Sequence, residues 1–410
     1  MVLRNQPKPN YISIVLFLVI AIDTMGIGFA WPIFGSLFTS KTSTLFAYDV
    51  TMQWRNILYG ITMGIASLAM FLFSPILGNI SDSIGRRKVL FFCLIGTSLG
   101  MGLSILGITF QQVFLLILSR AWLGAIAASQ IIAQATMIDI STPKNKTSLL
   151  GVISAANNIG YIVGPIIGSL LIDNTLISWF GFTTPFYFAA ILSLVSAILL
   201  LITYKETLKT RVSKKLPNSL QVFSRVLRQK NLRTVATIYI CFQIGWAMYF
   251  QTVFLTLIQK YNYAGRTLGS FLLWMGLIFC LNLLVIVRAI SSIITLKKLI
   301  YFTLCTAAIC SIVAIYSNEL GLWLVMLPMA SAISLGGNTL TVVFSNVAAQ
   351  NSQGWAMGVH NSLAALAWAI TPPLAGLLLA WGFHLPLLIA GGCFFLGIII
   401  AITCTRTNLS

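Results

Sequence analysis

Two ionisable side chains lie where an apolar helix tolerates them poorly. Asp23 sits near the middle of the first hydrophobic stretch, in Asp23-Thr24-Met25-Gly26-Ile27-Gly28-Phe29-Ala30-Trp31-Pro32. Arg120, in Leu118-Ser119-Arg120-Ala121-Trp122-Leu123-Gly124, is the only basic residue well inside an apolar span. A charge at the centre of a membrane helix costs about 2.5–3.5 kcal/mol or more, so such residues face a cavity or a partner and mark proton or ion pathways. The carboxylate can take up and release a proton. The guanidinium can favour the carboxylate's charged form, or bind an anionic substrate group through two parallel hydrogen bonds. The bland readings are an Asp hydrogen-bonded to a neighbouring helix and an Arg in a fixed ion pair. A third charged group is the polar turn Gly78-Asn79-Ile80-Ser81-Asp82-Ser83-Ile84-Gly85-Arg86-Arg87-Lys88, with Asp139 at the end of a later apolar stretch. The four remaining acids, Asp49, Asp173, Glu206 and Glu319, fall in loops or at their edges.

The elements that must hold these residues are helices in a bilayer. The chain has 410 residues, 58% of them hydrophobic and 8% charged. Spanning a bilayer takes about 20 mainly apolar residues, and only helices and closed barrels satisfy their backbones in lipid. Continuous apolar runs select helices. Twelve spans are expected near 11–37, 55–77, 89–108, 113–138, 149–171 and 185–204, then 234–258, 267–287, 299–317, 322–345, 355–379 and 386–404. The first span is too long for a cleaved leader, carries Asp23 and lacks a small-residue cleavage pattern, so it reads as a retained helix.

The net charge of +18 is a topology signal. Arg4, Lys8, residues 86–88, Lys144, Lys146, the 205–233 segment, Lys297 and Lys298 all fall on one side if the spans alternate. Lys41, Arg55, Lys260 and Arg266 fall on the other. The positive-inside rule then puts both termini in the cytoplasm, and nucleic-acid binding is not expected. The seven cysteines are scattered through apolar helices without metal-ligand spacing. There is no Gly-x-x-x-x-Gly-Lys-Ser/Thr loop and no nucleophile–histidine constellation, so neither an ATP-driven pump nor an enzyme is indicated, and no cofactor.

Residues 205–233 form the one long polar stretch, strongly basic with the single acid Glu206. They read as a solvated connector, with a short interfacial helix around Leu220–Leu227 as the alternative. The connector divides the chain into bundles at 1–204 and 234–410. Gly151-Val152, Pro165 and Leu170-Leu171 align without gaps with Gly358-Val359, Pro372 and Leu377-Leu378, and Tyr161 falls on Trp368. Lys297-Lys298 echoes Arg87-Lys88, with Ser292 and Thr295 in place of the Asp and the second Gly.

The spacing Gly78-x-x-x-Asp82-x-x-Gly85-Arg86-Arg87 resembles the signature loop of the major facilitator superfamily of secondary transporters. The Asp23 run is similar to helix 1 of its tetracycline-efflux branch. Arg120-x-x-x-Gly124 resembles the motif associated with proton transfer. Gly160-x-x-x-Gly164-Pro165-x-x-Gly168-Ser169 resembles the antiporter motif, which usually ends in Gly-Gly. The resemblance implies an all-α integral membrane fold of twelve helices in two pseudo-symmetric six-helix bundles, with the substrate cavity between them. It further implies that Asp139 pairs with Arg86 or Arg87, that Asp82 caps a facing helix N-terminus, and that this cluster gates the cytoplasmic side.

Expected cavity residues are Gln130 and Gln134, four apart on one helix face, with Asn157, Asn158, Gln243, Trp246, Gln251, Asn282 and Asn338. Any of these could instead bond helix to helix. The efflux branch usually carries an acid in helix 3, where this chain has the Leu94–Gly100 run, and ionisable residues in helices 8 and 9, which here hold no acid or His. Tetracycline itself is therefore not the expected substrate. The expected function is proton-coupled export of a small organic molecule by a monomer in the bacterial inner membrane, with Asp23 and Arg120 coupling proton to substrate. The alternatives are uptake of a siderophore, peptide or other metabolite on the same fold, and a non-transporting membrane sensor.

Overall fold

The computed structural model describes residues 9–40, 43, 45–46, 50–141, 146–204, 206–207, 230–282, 294–347 and 353–403. Most of the basic connector, Ser292 and the start of the 351–357 segment's side chains lie outside them. The described residues form helices α1 (Pro9–Gly28), α2 (Ala30–Thr39), α3 (Met52–Ile84), α4 (Arg86–Thr109), α5 (Val113–Ile126), α6 (Ser129–Ile140), α7 (Lys146–Leu171) and α8 (Thr184–Thr203). After the connector come α9 (Lys230–Gln259), α10 (Gly265–Leu281), α11 (Leu296–Tyr316), α12 (Glu319–Val347), α13 (Gln353–Leu378) and α14 (His384–Thr403).

Among the described residues, 11 helical spans are long and apolar enough to cross a membrane. A twelfth, α10, is a shorter apolar helix of 17 residues. The expected helix 1 is α1 and α2 in line, broken at Phe29. Pro32 has no N–H to donate back to the Gly28 carbonyl, and its ring disfavours a continuous turn. The expected helix 4 is α5 and α6, broken at Ala127–Ala128 with no glycine or proline to announce it. The orphan Ala127 carbonyl accepts from Ser74 Oγ at 3.4 Å.

Two of the buried clusters each lie within one half, and a third, from Phe29 to Leu379, joins Leu255 and Leu379 to residues of the first six spans. One buried cluster draws on α9 to α14, from Leu232 to Ala401. Another lies within α1, α4, α6, α7 and α8, from Ile12 to Tyr204. Helix pairing repeats between halves. Span 5 (α7) packs on span 1 and span 8 (α10), and span 11 (α13) packs on span 7 (α9) and span 2 (α3). That exchange of partners is a pseudo-two-fold along the membrane normal.

The halves approach most closely away from the Gly85 turn. A Cβ on Gly60 would lie 2.2 Å from the Pro372 carbonyl oxygen, and one on Gly64 would lie 2.4 Å from that of Ala369. Gln259 Nε2 donates to Asn56 Oδ1 at 2.6 Å. Asp173 Oδ2 accepts from the Arg266 backbone N–H at 3.3 Å, capping the start of α10 from the other half. These contacts shut the side opposite the Gly85 turn.

Candidate functional site

Glycines bring α7 directly onto α1. A Cβ at Gly160 would meet Thr24 Oγ1 at 1.9 Å, and one at Gly164 would meet the Met25 carbonyl oxygen at 2.5 Å. Gly168 faces Phe29, and Gly28 faces the Pro165 ring with its own absent Cβ 2.8 Å from Cδ. The backbones can touch because these positions carry no side chain. This stripe lies along the turn of α1 that carries Asp23.

Asp23 is buried, 4% exposed. Its Oδ1 accepts from Thr97 Oγ1 on α4 at 3.1 Å, and its Oδ2 accepts from Ser129 Oγ. Ser129 is the first residue of α6, so the break in helix 4 turns a helix N-terminus, with its partial positive charge, toward the carboxylate. Both of its partners are neutral hydroxyls. The Leu94–Gly100 run that lacks an acid supplies Thr97 to Asp23 and otherwise packs: a Cβ at Gly100 would lie 2.6 Å from Leu123 Cδ2.

Arg120 is also buried, 4% exposed. Its guanidinium carbon lies 5.8 Å from the Phe34 ring centroid, within electrostatic range of Tyr59 and Tyr161. Among the described residues it forms no ion pair, and its Nε has no hydrogen-bond partner. Asp23 and Arg120 are thus not joined in this conformation. Tyr161 lies within electrostatic range of both, so they share a neighbour without touching.

At the other end of α3, Gly85 has φ 114°, a conformation glycine adopts without strain. Arg86 Nη1 lies 2.5 Å from Asp82 Oδ1, and Arg86 Nε lies 3.2 Å from Asp139 Oδ2. Arg87 donates to the Leu201 carbonyl. A Cβ at Gly78 would make ordinary contact with Ile131 Cγ2, at 3.9 Å. Asp82 is engaged with Arg86; the side chains at the start of α13 lie outside the described residues. The N-terminus of α4 is capped instead by Glu206, whose carboxylate accepts from the N–H of Arg86 at 3.1 Å and of Arg87 at 3.2 Å. In the sequence Glu206 is a lone acid in a basic connector, and that isolation is the signal of its role.

The polar cavity candidates are dispersed. Gln130 and Gln134 are half-buried on α6, and Asn157 Oδ1 is buried without a partner among the described residues. Asn338 Nδ2 donates to the Ser334 carbonyl at 2.9 Å, within its own helix. Gln243 Nε2 donates to the Tyr239 hydroxyl at 2.6 Å. Tyr239 stacks on His360 at 4.0 Å between centroids, a buried histidine that the sequence did not single out for function. Trp246 packs on Phe250 at 5.5 Å, and Phe250 meets Trp31 at 5.1 Å and Trp368 at 6.2 Å. Aromatic rings from both halves therefore meet at the centre.

The model of the Major Facilitator Superfamily matches residues 14–372. The chain belongs to this superfamily. It is 26% identical over 404 residues to multidrug resistance protein 2 of Bacillus subtilis strain 168, covering 96% of this chain and 94% of that protein. It is 29% identical to the class H tetracycline resistance protein of Pasteurella multocida over 200 residues, which is 49% of this chain and 46% of that protein. The match thus spans about half the length of the tetracycline resistance relatives. Among solved structures, the human organic anion transporter MFSD10 (TETRAN) superposes with a TM-score of 0.72 at 20% identity, covering 97% of this chain and all 100% of that one. A POT family transporter bound to a thioalcohol-conjugated peptide gives 0.73 at 13% identity, covering 96% and 95%. At these identities the structures speak for the fold alone. This facilitator is a membrane transporter.

Proposed function

We propose that this facilitator exports a small organic molecule in exchange for protons, with Asp23 as the proton-carrying group. The observation that carries the reading is the setting of Asp23, buried mid-span and held, among the described residues, by the hydroxyls of Thr97 and Ser129. A carboxylate with neutral partners can gain or lose a proton without breaking an ion pair. Because α1 meets α7 backbone to backbone at Gly160 and Gly164, rearrangement around Asp23 is felt along both helices. Coupling follows if proton and substrate bind the two conformations with different affinity.

The positive-inside pattern assigns the Gly85 side and both termini to the cytoplasm. On that assignment the conformation is inward-facing, in a bacterial inner membrane, and the protein works as a monomer. Gly78, Asp82, Gly85, Arg86, Arg87 and Asp139 form the cytoplasmic gate. Gln130, Gln134, Asn157, Gln243, Trp246 and Asn338 contribute to the cavity, and Arg120 joins the coupling when a negative charge reaches it. Relatives named for multidrug and tetracycline resistance favour export over uptake.

The test uses purified protein in vesicles with an acidic interior and a pH-sensitive dye inside. Addition of a transported amphipathic compound outside should alkalinise the interior. Uptake of compounds that never moves protons would sink the antiport reading.

A further inference from the structure

Arg120 is the unanswered charge among the described residues of the spans. It is 4% exposed, its Nε lacks a hydrogen-bond partner, and no described carboxylate lies within ion-pair distance. A guanidinium offers five donors and no acceptor, so in a water-poor site it calls for an anion. Asp23 does not supply one, since both its oxygens are taken by Thr97 and Ser129. The second half carries one acid after Glu206, and this is Glu319, which starts α12 and accepts from the Tyr263 hydroxyl at 2.8 Å. A cationic substrate would find little to hold it there.

Around Arg120 stand hydroxyls and aromatic rings that a small ion would leave unused. Tyr59 is fully buried, yet its hydroxyl has no partner. Tyr161, within electrostatic range of Arg120, is 41% exposed and offers a second hydroxyl. On α2, Phe34 lies under the guanidinium, and Trp31 is one turn away on the same helix. Trp31 in turn meets Trp368 of the other half edge-on at 5.4 Å. A cation and an aromatic wall therefore stand side by side where the halves meet.

We infer that the transported molecule is an organic anion: a flat apolar body bearing a carboxylate or similar oxyanion. The oxyanion pairs with Arg120 through two parallel hydrogen bonds and takes a further one from Tyr59 or Tyr161. The rings lie against Trp31 and Trp368. This substrate class rests on the transporter reading above but is tested by binding, which needs no flux.

The probes are 2-naphthoate, its neutral amide 2-naphthamide, and the 2-naphthylmethyl ammonium ion, compared at neutral pH by equilibrium dialysis against purified protein. The parent should bind naphthoate at least tenfold more tightly than the amide and the ammonium ion. Arg120→Gln should remove that preference, and Arg120→Lys should keep part of it. Equal binding of naphthoate and amide, preference for the ammonium ion, or no binding of naphthoate would overturn the inference. Should Arg120→Gln fail to fold, the ranking in the parent and in Arg120→Lys still decides. Proton exchange with cationic compounds, without anion preference, would leave the transport reading standing and this one fallen. Naphthoate preference without any flux would do the reverse.

Discussion

The Thr97 hydroxyl on α4 donates to the Asp23 carboxylate on α1 at 3.1 Å, so the proposed proton carrier is held by a helix other than its own. Removing the donor with a residue of the same shape isolates its contribution. Thr97→Val should leave the carboxylate one hydrogen bond short, at about 1–3 kcal/mol. The expected outcome is proton-driven transport reduced roughly tenfold with the amount of folded protein unchanged, read in the vesicle assay and by size-exclusion chromatography.

The α1–α7 contact predicts a steric asymmetry between glycines of one helix. Gly160→Ala puts a methyl group 1.9 Å from Thr24 Oγ1 and 2.6 Å from the Ala21 carbonyl oxygen, whereas a methyl at Gly151 meets nothing within 4 Å. Overpacking of this kind costs about 1–3 kcal/mol. Gly160→Ala should lower the thermal midpoint in detergent by several degrees and depress transport, and Gly151→Ala should do neither.

Glu206 accepts from two backbone N–H groups at the start of α4, the end at which helix dipoles favour negative charge. Glu206→Ala should destabilise that end by about 0.5–2 kcal/mol. Faster labelling of a cysteine placed at Ser83 would report the loosening; unchanged labelling would show that the cap contributes little.

Asp173 ties the two halves together on the closed side. The Thr175 hydroxyl, then the Thr175 and Arg266 amides and the Arg266 charge, hold its carboxyl below the usual carboxylate range. A depressed folded value means that the contact is fully formed above the unfolded value and is lost as pH falls through the folded one. Between about pH 5 and 8 the tie should therefore be constant. Accessibility of a cysteine at Gly269 should rise only below about pH 4, and Asp173→Ala should show the raised accessibility at every pH.

The spans were legible because twenty-odd apolar residues between polar turns leave few alternatives in a bilayer. The glycines of α7 were legible as a packing stripe, since their four-residue spacing puts them on one face. The break at Ala127–Ala128 was not. Alanine favours helix, and the interruption is held by Ser74 and by Ser129 reaching Asp23. The cap by Glu206 was hidden for a similar reason: it joins groups 120 positions apart, which no local pattern encodes. That Arg120 lacks a carboxylate partner is likewise a fact of packing between helices, invisible in a count of charges.

Asp23→Asn tests the central claim most directly, because the amide keeps the shape and can still accept from Thr97 while it cannot carry a proton. Parent and variant would be compared in interior-acid vesicles with a substrate of the parent. The account predicts that the variant folds and still exchanges substrate for substrate, but releases no protons when substrate is added. Full proton-driven transport by Asp23→Asn would contradict it.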